Sequence, residues 1–468
     1  MAFDLVLFGG TGDLAWRKLL PALFQAHRHG MLPGDGRILA IGRSTYSDDD
    51  YRKWLWERFQ EVEDAKRPGD GEFDRFASLL HYLRADLSQP ADYERLKAWV
   101  RPRADAIVFY LATSPHLFPV VAEQLGRAGL NGPNVRVVLE KPLGHDLKSA
   151  QAINRVVRAS FTESQALRID HYVGKPAVQN LMALRFGNVL FEPLWRRESI
   201  ASITIRIAES IGVGTRGDFY DQTGALRDMI QNHALQLLTM IAMEPPARLA
   251  PDDIHAEKLK VLRALKPFDA ASVRRDVVRA QYEGYRSEPK VRTDSTTETY
   301  VALRAEVQNW RWAGVPFHLV TGKRLADKNA EIVVRFRETP HSIFPGGTRP
   351  NKLVIKLQPE DGLELHLLAA KGASFGEELT PVFLDLDFEK AFAHNRVGAY
   401  ERLLLDAIAG RLNLFVRSDE QEEAWRWVEP ILRTWEHEDA QGLRPLRYDA
   451  GSDGPGSYMP SGVRPIAA

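Results

Sequence analysis

Over its first 170 residues the chain alternates short, nearly continuous apolar runs with longer amphipathic stretches, and this order restricts the fold more than any other feature. The runs at 3–9 (FDLVLFG), 37–42 (RILAIG), 81–87 (HYLRADL), 106–112 (AIVFYLA), 135–140 (VRVVLE) and 166–170 (ALRID) read as strands, with helices between them. A strand apolar at almost every position needs cover on both faces. Strand–helix–strand repetition therefore predicts a parallel, doubly wound α/β sheet. Such a sheet receives ligands at the carboxyl ends of its strands.

Beyond residue 195 the period changes to two, at 202–209 (SITIRIAE), 300–307 (YVALRAEV), 331–337 (EIVVRFR), 352–359 (KLVIKLQP) and 363–368 (LELHLL). Alternation of this kind predicts a mainly antiparallel sheet with one apolar face covered by helices, an α+β domain. With 468 residues the chain is too long for one ordinary core. The expected division is 1–170 for a dinucleotide-binding domain and 171–468 for a substrate and oligomerisation domain. There is no internal repeat, and only GSDGPGSYMPSG at 451–462 reads as a loop.

Lys plus Arg and Asp plus Glu balance at 62 each, so no global field draws the chain to nucleic acid or to anionic lipid. The absence of cysteine removes thiolate chemistry, disulfides and Cys-based metal sites, and no metal is expected. The opening MAFDLVLFGG lacks the regions of a signal peptide, and no apolar run approaches the ~18 residues that span a bilayer. A cytoplasmic protein with a small-molecule partner is the expectation.

Five segments carry chemistry. In LFGGTGDLA, Gly9, Gly10, Thr11, Gly12, Asp13 and Leu14 join the first strand to a helix. Gly9 and Gly12 permit a tight turn against a pyrophosphate, and Ala15 allows close helix packing. Arg43 ends the second strand where an NAD enzyme would carry an acid. A guanidinium there suits the 2'-phosphate of NADP, although a surface arginine is the plain alternative. In VVLEKPLG the fifth strand delivers Glu140 and Lys141, and Pro142 holds Lys141 extended. Lys141 then stands at the ligand-bearing edge, unless the segment is merely a turn. In RIDHYVGKPAVQN a strand ends at Asp170 and a helix starts near Pro176, with His171, Tyr172 and Lys175 as donors around a helix end suited to phosphate.

A long helix is expected over 224–243, where Leu226, Met229, Ile230, Leu237 and Met240 form an apolar stripe with His233 in its middle. A core histidine is the usual reading of such a residue. Beside the other motifs, an imidazole that takes a hydroxyl proton near neutral pH becomes the sharper one, with Asp170 as its orienting carboxylate.

Together GGTGDLAWRKLLPALF, EKPLG, RIDHYVGKPAVQN, YDQTGALRDMIQNHALQLL, VPFHLVTGKRLADKNAEIVVRF, YERLLLDAI and FVRSDEQEEAWRWVEPI resemble the glucose-6-phosphate dehydrogenases, in family order across nearly the whole chain. The resemblance implies oxidation of β-D-glucose 6-phosphate to 6-phosphoglucono-1,5-lactone with hydride transfer to NADP, NAD being a weaker or alternative acceptor. It makes His233 the general base, Asp170 its partner and Lys141 the residue aligning sugar with nicotinamide. His171, Tyr172 and Lys175 would hold the 6-phosphate, Glu209 and Asp228 the sugar hydroxyls, and Lys323 and Lys328 would complete the site. A homodimer or homotetramer is expected because a broad sheet face can pair across a two-fold axis. Pro176 stands where the family pattern has an acid, Trp16 is bulky for its position, and the tail lacks the usual tryptophan-containing loop. Two alternatives share parts of the pattern: a dehydrogenase of unphosphorylated sugars of the inositol or glucose-fructose oxidoreductase type, and a catalytically silent NADP-binding regulator.

Overall fold

The computed structural model describes residues 1–61, 67–344, 347–370, 379–391 and 397–456. Residues 457–462 of the expected tail loop lie outside the described residues. The chain forms two compact units, one of residues 1–174, 248–255 and 397–422, the other of 175–247, 256–396 and 423–468.

The first unit is built on a seven-stranded sheet of β1 (Ala2–Phe8), β2 (Asp35–Gly42), β3 (Leu80–Arg84), β4 (Ala106–Leu111), β5 (Val135–Leu139), β6 (Ala166–Ile169) and β15 (Phe415–Val416). Their spatial order is β15-β6-β5-β4-β1-β2-β3, and β1 to β6 are parallel. This is the doubly wound dinucleotide-binding order, with its switch point between β1 and β4. Its strands are mainly apolar because successive side chains feed two cores. Leu5 and Leu7 of β1 join one buried cluster, and Val6 and Phe8 join the other. The seventh strand, β15, is contributed from far along the chain and lies antiparallel to β6.

The second unit contains a nine-stranded sheet of β7 (Ile200–Ala208), β8 (Val277–Tyr282), β9 (Tyr300–Glu306), β10 (Pro316–Gly322), β11 (Asn329–Phe336), β12 (Lys352–Gln358), β13 (Gly362–Ala370), β14 (Leu379–Asp387) and β16 (Leu446–Tyr448). Most pairings are antiparallel, but β7 runs parallel to β10 and β8 parallel to β16. Period two is visible in β7, where Ile203, Ile205 and Ile207 are buried and Ser202, Thr204 and Arg206 are half-buried. Register extends the apolar row: Ile205 faces Ile332, Ile332 faces Ile355, Ile355 faces Leu363 and Leu363 faces Leu386. Strands β8, β10, β14 and β16 were not among the expected ones. In β10 a terminal proline, a terminal glycine and a buried His318 break the alternation that marks a strand.

The single helix expected over 224–243 is corrected. A helix Gly217–Ala225 is interrupted at Gly224, with φ of +74°, and is followed by a π-helical stretch Leu226–Ala234 and an α-helix Leu235–Ala242. Glu298 causes the break. Its carboxylate lies 2.4 Å from where a Gly224 Cβ would stand, and it accepts from Leu226 N at 2.9 Å while its carbonyl accepts from Ala225 N at 3.0 Å. Single π-turns inside helices occur frequently at functional positions.

Candidate active site

In the first unit the expected cofactor residues occupy the carboxyl ends of adjacent parallel strands. Gly9, after β1, adopts φ of +87°, and a Cβ there would sit 2.5 Å from Ala112 O. Gly10 is equally constrained by packing, since its Cβ would lie 2.5 Å from Ala40 Cβ. The backbone N–H groups of Gly9 and Gly10 both donate to Ile41 O, at 2.9 and 2.8 Å, and Tyr51 donates from its hydroxyl to Gly10 O at 2.8 Å. Thr11, Gly12, Asp13 and Leu14 complete the turn, Ala15 is buried, and Trp16 is buried under Arg17, whose guanidinium lies 4.5 Å from the ring centroid. The glycines thus keep the backbone of the turn open to close approach at the place where a pyrophosphate is received in this topology, so these residues fit a dinucleotide. Arg43 follows β2 and is exposed.

Lys141 and Asp170 follow β5 and β6 on the same edge. The peptide between Lys141 and Pro142 is cis. Glu140 was expected to reach the ligand-bearing edge with Lys141. It is instead 6% exposed and accepts from the Tyr110 hydroxyl at 2.5 Å. Burial raises its pKa, and the nearby Asp170 adds to the rise against the hydrogen bond from Tyr110. Asp170 is 2% exposed and its Oδ1 accepts from Tyr172 N at 2.9 Å. The His171 ring lies 4.9 Å from Tyr172 and 6.0 Å from Tyr400, stacked on the latter at 10°. Burial pushes the Tyr400 hydroxyl's pKa well up, helped by Glu140 and Asp170. Tyr110 and Tyr400 were missed by sequence reasoning. Tyr110 was readable only as a strand residue, and Tyr400 only as part of a family-like motif.

In the second unit Lys175 occupies the N-cap position of the helix Pro176–Phe186, as the proline signal suggested. Its ammonium donates to Gln358 Oε1 at 2.7 Å and to Leu357 O at 3.3 Å, at the end of β12. Burial pulls its pKa down to about 8; Asp361 opposes the fall and Lys328 adds to it. The structure therefore brings Lys175 into electrostatic reach of Lys328, as well as to Gln358 and Asp361, which no motif signalled.

A second group forms around Tyr220. Lys323, after β10, donates to Glu209 Oε2 at 2.5 Å, and its Nζ lies 4.9 Å from the Tyr220 ring centroid. Burial raises the Tyr220 hydroxyl's pKa, and Asp228, Glu298 and Glu209 act in the same direction. Glu209, Asp228 and Lys323 are thus grouped, as separate segments of the sequence could not reveal. His233 is fully buried in the π-helical stretch, where its backbone N–H donates to Asn232 Oδ1 at 2.6 Å. Among the described residues no helix is long and apolar enough to cross a membrane.

Comparison with known proteins matches residues 6–180 to the NAD binding domain of glucose-6-phosphate dehydrogenase and residues 182–460 to the C-terminal domain of glucose-6-phosphate dehydrogenase. The chain is 46% identical to glucose-6-phosphate 1-dehydrogenase of Mycolicibacterium smegmatis, covering 97% of this chain and 94% of the relative. A crystal structure of glucose-6-phosphate 1-dehydrogenase from Mycobacterium avium is 38% identical, with a TM-score of 0.84 over 96% of this chain and 94% of that one. A structure of glucose-6-phosphate dehydrogenase in complex with glucose-6-phosphate is 32% identical, with a TM-score of 0.89 over 97% and 96%. With both family domains matched in order along the whole sheet-bearing chain, this protein belongs to the glucose-6-phosphate dehydrogenase family.

Proposed function

We propose that this chain is a cytoplasmic glucose-6-phosphate 1-dehydrogenase that oxidises C1 of β-D-glucose 6-phosphate to 6-phosphoglucono-1,5-lactone and uses NADP as its preferred acceptor. The observation that carries the reading is the match to dehydrogenases of this name over nearly the full length of both partners. Neither alternative gains comparable support: the solved sugar oxidoreductases of other kinds, such as levoglucosan dehydrogenase, share only the fold, at 12% identity and a TM-score of 0.53.

In this reading residues 1–170 hold the dinucleotide, and residues 171–468 supply substrate contacts and the assembly surface. The dinucleotide, when bound, supplies the hydride acceptor. Gly9, Gly10, Thr11, Gly12, Asp13 and Leu14 cradle its pyrophosphate, Arg43 takes the 2'-phosphate, and Lys141 aligns the sugar. His233 accepts the proton of the C1 hydroxyl as the C1 hydrogen departs, and Asp170 supports the imidazolium that results. His171, Tyr172 and Lys175 hold the 6-phosphate, Glu209 and Asp228 accept from sugar hydroxyls, and Lys323 and Lys328 complete the pocket. Support comes from the grouping of Glu209 with Lys323 and of Lys175 with Lys328. Remote binding of the phosphate fixes the sugar without touching the reacting carbon, which leaves the base to act at C1.

Assembly as a homodimer or homotetramer is supported by the far edge of the second sheet. There Val382, Leu384 and Leu386 continue the apolar row yet are 42%, 65% and 47% exposed. An exposed apolar row of this kind marks an interaction surface.

The test is absorbance at 340 nm of the purified protein with glucose 6-phosphate, with NADP and NAD compared and unphosphorylated glucose as control. Phosphate-dependent reduction is the expected outcome. Equal reaction of glucose and its phosphate ester overturns the substrate assignment, and no reduction with any sugar overturns the enzyme.

A further inference from the structure

We propose that Arg84 is a second specificity-determining cation for the adenosine 2'-phosphate, acting beside Arg43; the proposal rests on the NADP reading above. Strands β2 and β3 run parallel with Gly42 opposite Arg84, and Ala85 N donates to Gly42 O at 3.0 Å. Adjacent strands lie ~4.8 Å apart, a distance two arginine side chains span readily. Arg43 is the next residue after Gly42, and both arginines are exposed.

The surroundings of Gly42 show a built corner. A Cβ at Gly42 would lie 2.7 Å from the Tyr82 hydroxyl and 3.1 Å from Thr11 Oγ1. The Tyr82 hydroxyl donates to Ser44 O at 2.8 Å and so fixes the backbone from which Arg43 projects. Thr11, Arg43 and Arg84 therefore come from the carboxyl ends of three successive neighbours in the sheet, β1, β2 and β3, where this topology receives the adenosine ribose. Asp86 lies within electrostatic reach of Arg43. Its carboxylate accepts from Ser88 N at 2.9 Å and Ser88 Oγ at 2.8 Å, which ties it to its own turn. Asp92, whose carboxylate accepts from Asp86 N at 2.8 Å, is paired with Arg95 at 3.0 Å. Two exposed guanidinium groups then favour a dianion, and a phosphate has oxygens enough for an edge of each. A ribose that lacks the phosphate calls on neither.

The experiment is calorimetric titration of NADP and of NAD into the wild-type protein and into Arg84→Gln, Arg84→Lys and Arg43→Ala. Arg84→Gln is expected to raise the NADP Kd about tenfold and to leave the NAD Kd in place, with part of the loss recovered in Arg84→Lys. An unchanged NADP Kd in Arg84→Gln, with Arg43→Ala weakened, overturns the role of Arg84 and leaves the NADP reading standing. Equal losses for both dinucleotides in Arg84→Gln overturn the specificity role. A wild-type protein that binds NADP no more tightly than NAD overturns the NADP reading and this proposal together.

Discussion

Lys175 donates its ammonium to Gln358 Oε1 at 2.7 Å while standing at the N-cap of the helix Pro176–Phe186. Burial lowers its pKa from 10.5 to about 8. The folded protein therefore releases this proton at a lower pH than the unfolded chain does. The handicap of the buried ammonium is full below about pH 8 and is relieved between about 8 and 10.5, so this group makes stability rise with pH over that window. Substrate binding runs the other way if the ammonium holds the 6-phosphate. The KM for glucose 6-phosphate is expected to be flat below about pH 7 and to climb toward about tenfold per pH unit above pH 8. In Lys175→Arg, whose charge persists, the climb should disappear. A flat wild-type KM from pH 7 to 10 would remove Lys175 from phosphate binding.

His233→Asn should lower kcat by about 10²- to 10⁴-fold, the usual contribution of a positioned base. Equilibrium dialysis should find substrate affinity preserved, since the proton transfer belongs to the transition state and not to binding. Near-normal turnover would end the assignment.

Arg43→Ala should weaken NADP by about 10- to 100-fold, the range for losing charge-assisted hydrogen bonds to a phosphate, and spare NAD. Kinetic constants for both acceptors would check this. Parallel losses would mean that Arg43 shapes the turn and does not read the phosphate.

Gly9→Ala places a methyl group 2.5 Å from Ala112 O in a backbone with φ of +87°. The left-handed conformation alone costs roughly 1–2 kcal/mol for an L-residue. Urea unfolding should show a lower midpoint, and dinucleotide binding should fall with it. Gly34→Ala, where nothing lies within 4 Å of the added atom, is the matched control and should unfold like the wild type.

Leu384→Glu puts a charge in the middle of the exposed row on β14, where Leu384 is 65% exposed. Sedimentation velocity should show a smaller species than the wild type without loss of fold by circular dichroism. An unchanged sedimentation coefficient would mean that the row does not hold the assembly together.

How much of this was legible beforehand depends on how local each signal is. The glycine turn, Arg43, Lys141 and Asp170 could be assigned to strand ends because a buried parallel strand announces itself by a short apolar run, and its end is the next residue in sequence. The N-cap position of Lys175 was equally readable from Pro176. Glu298, by contrast, decides where the helix after Gly217 breaks from a position 72 residues beyond Leu226. No periodicity within 224–243 could contain that information, so the apolar stripe predicted one continuous helix. Strand β10 escaped because its parallel partner β7, distant in sequence, buries a histidine in a segment that ends in proline and glycine.

The sequence by itself therefore determined the doubly wound class of the first sheet, the mainly antiparallel second sheet and the chemical type of the residues at the strand ends. All of these follow from hydrophobic period and from backbone limits imposed by glycine and proline. Only the tertiary structure decided which side chains face one another: Glu140 turned inward onto Tyr110, Lys175 joined to Gln358, and Lys323 closed on Glu209. Pairings of this kind come from strand register and packing between distant segments. Burial then sets the charges, as in the lowered pKa of Lys175, and burial is a property of the folded chain alone.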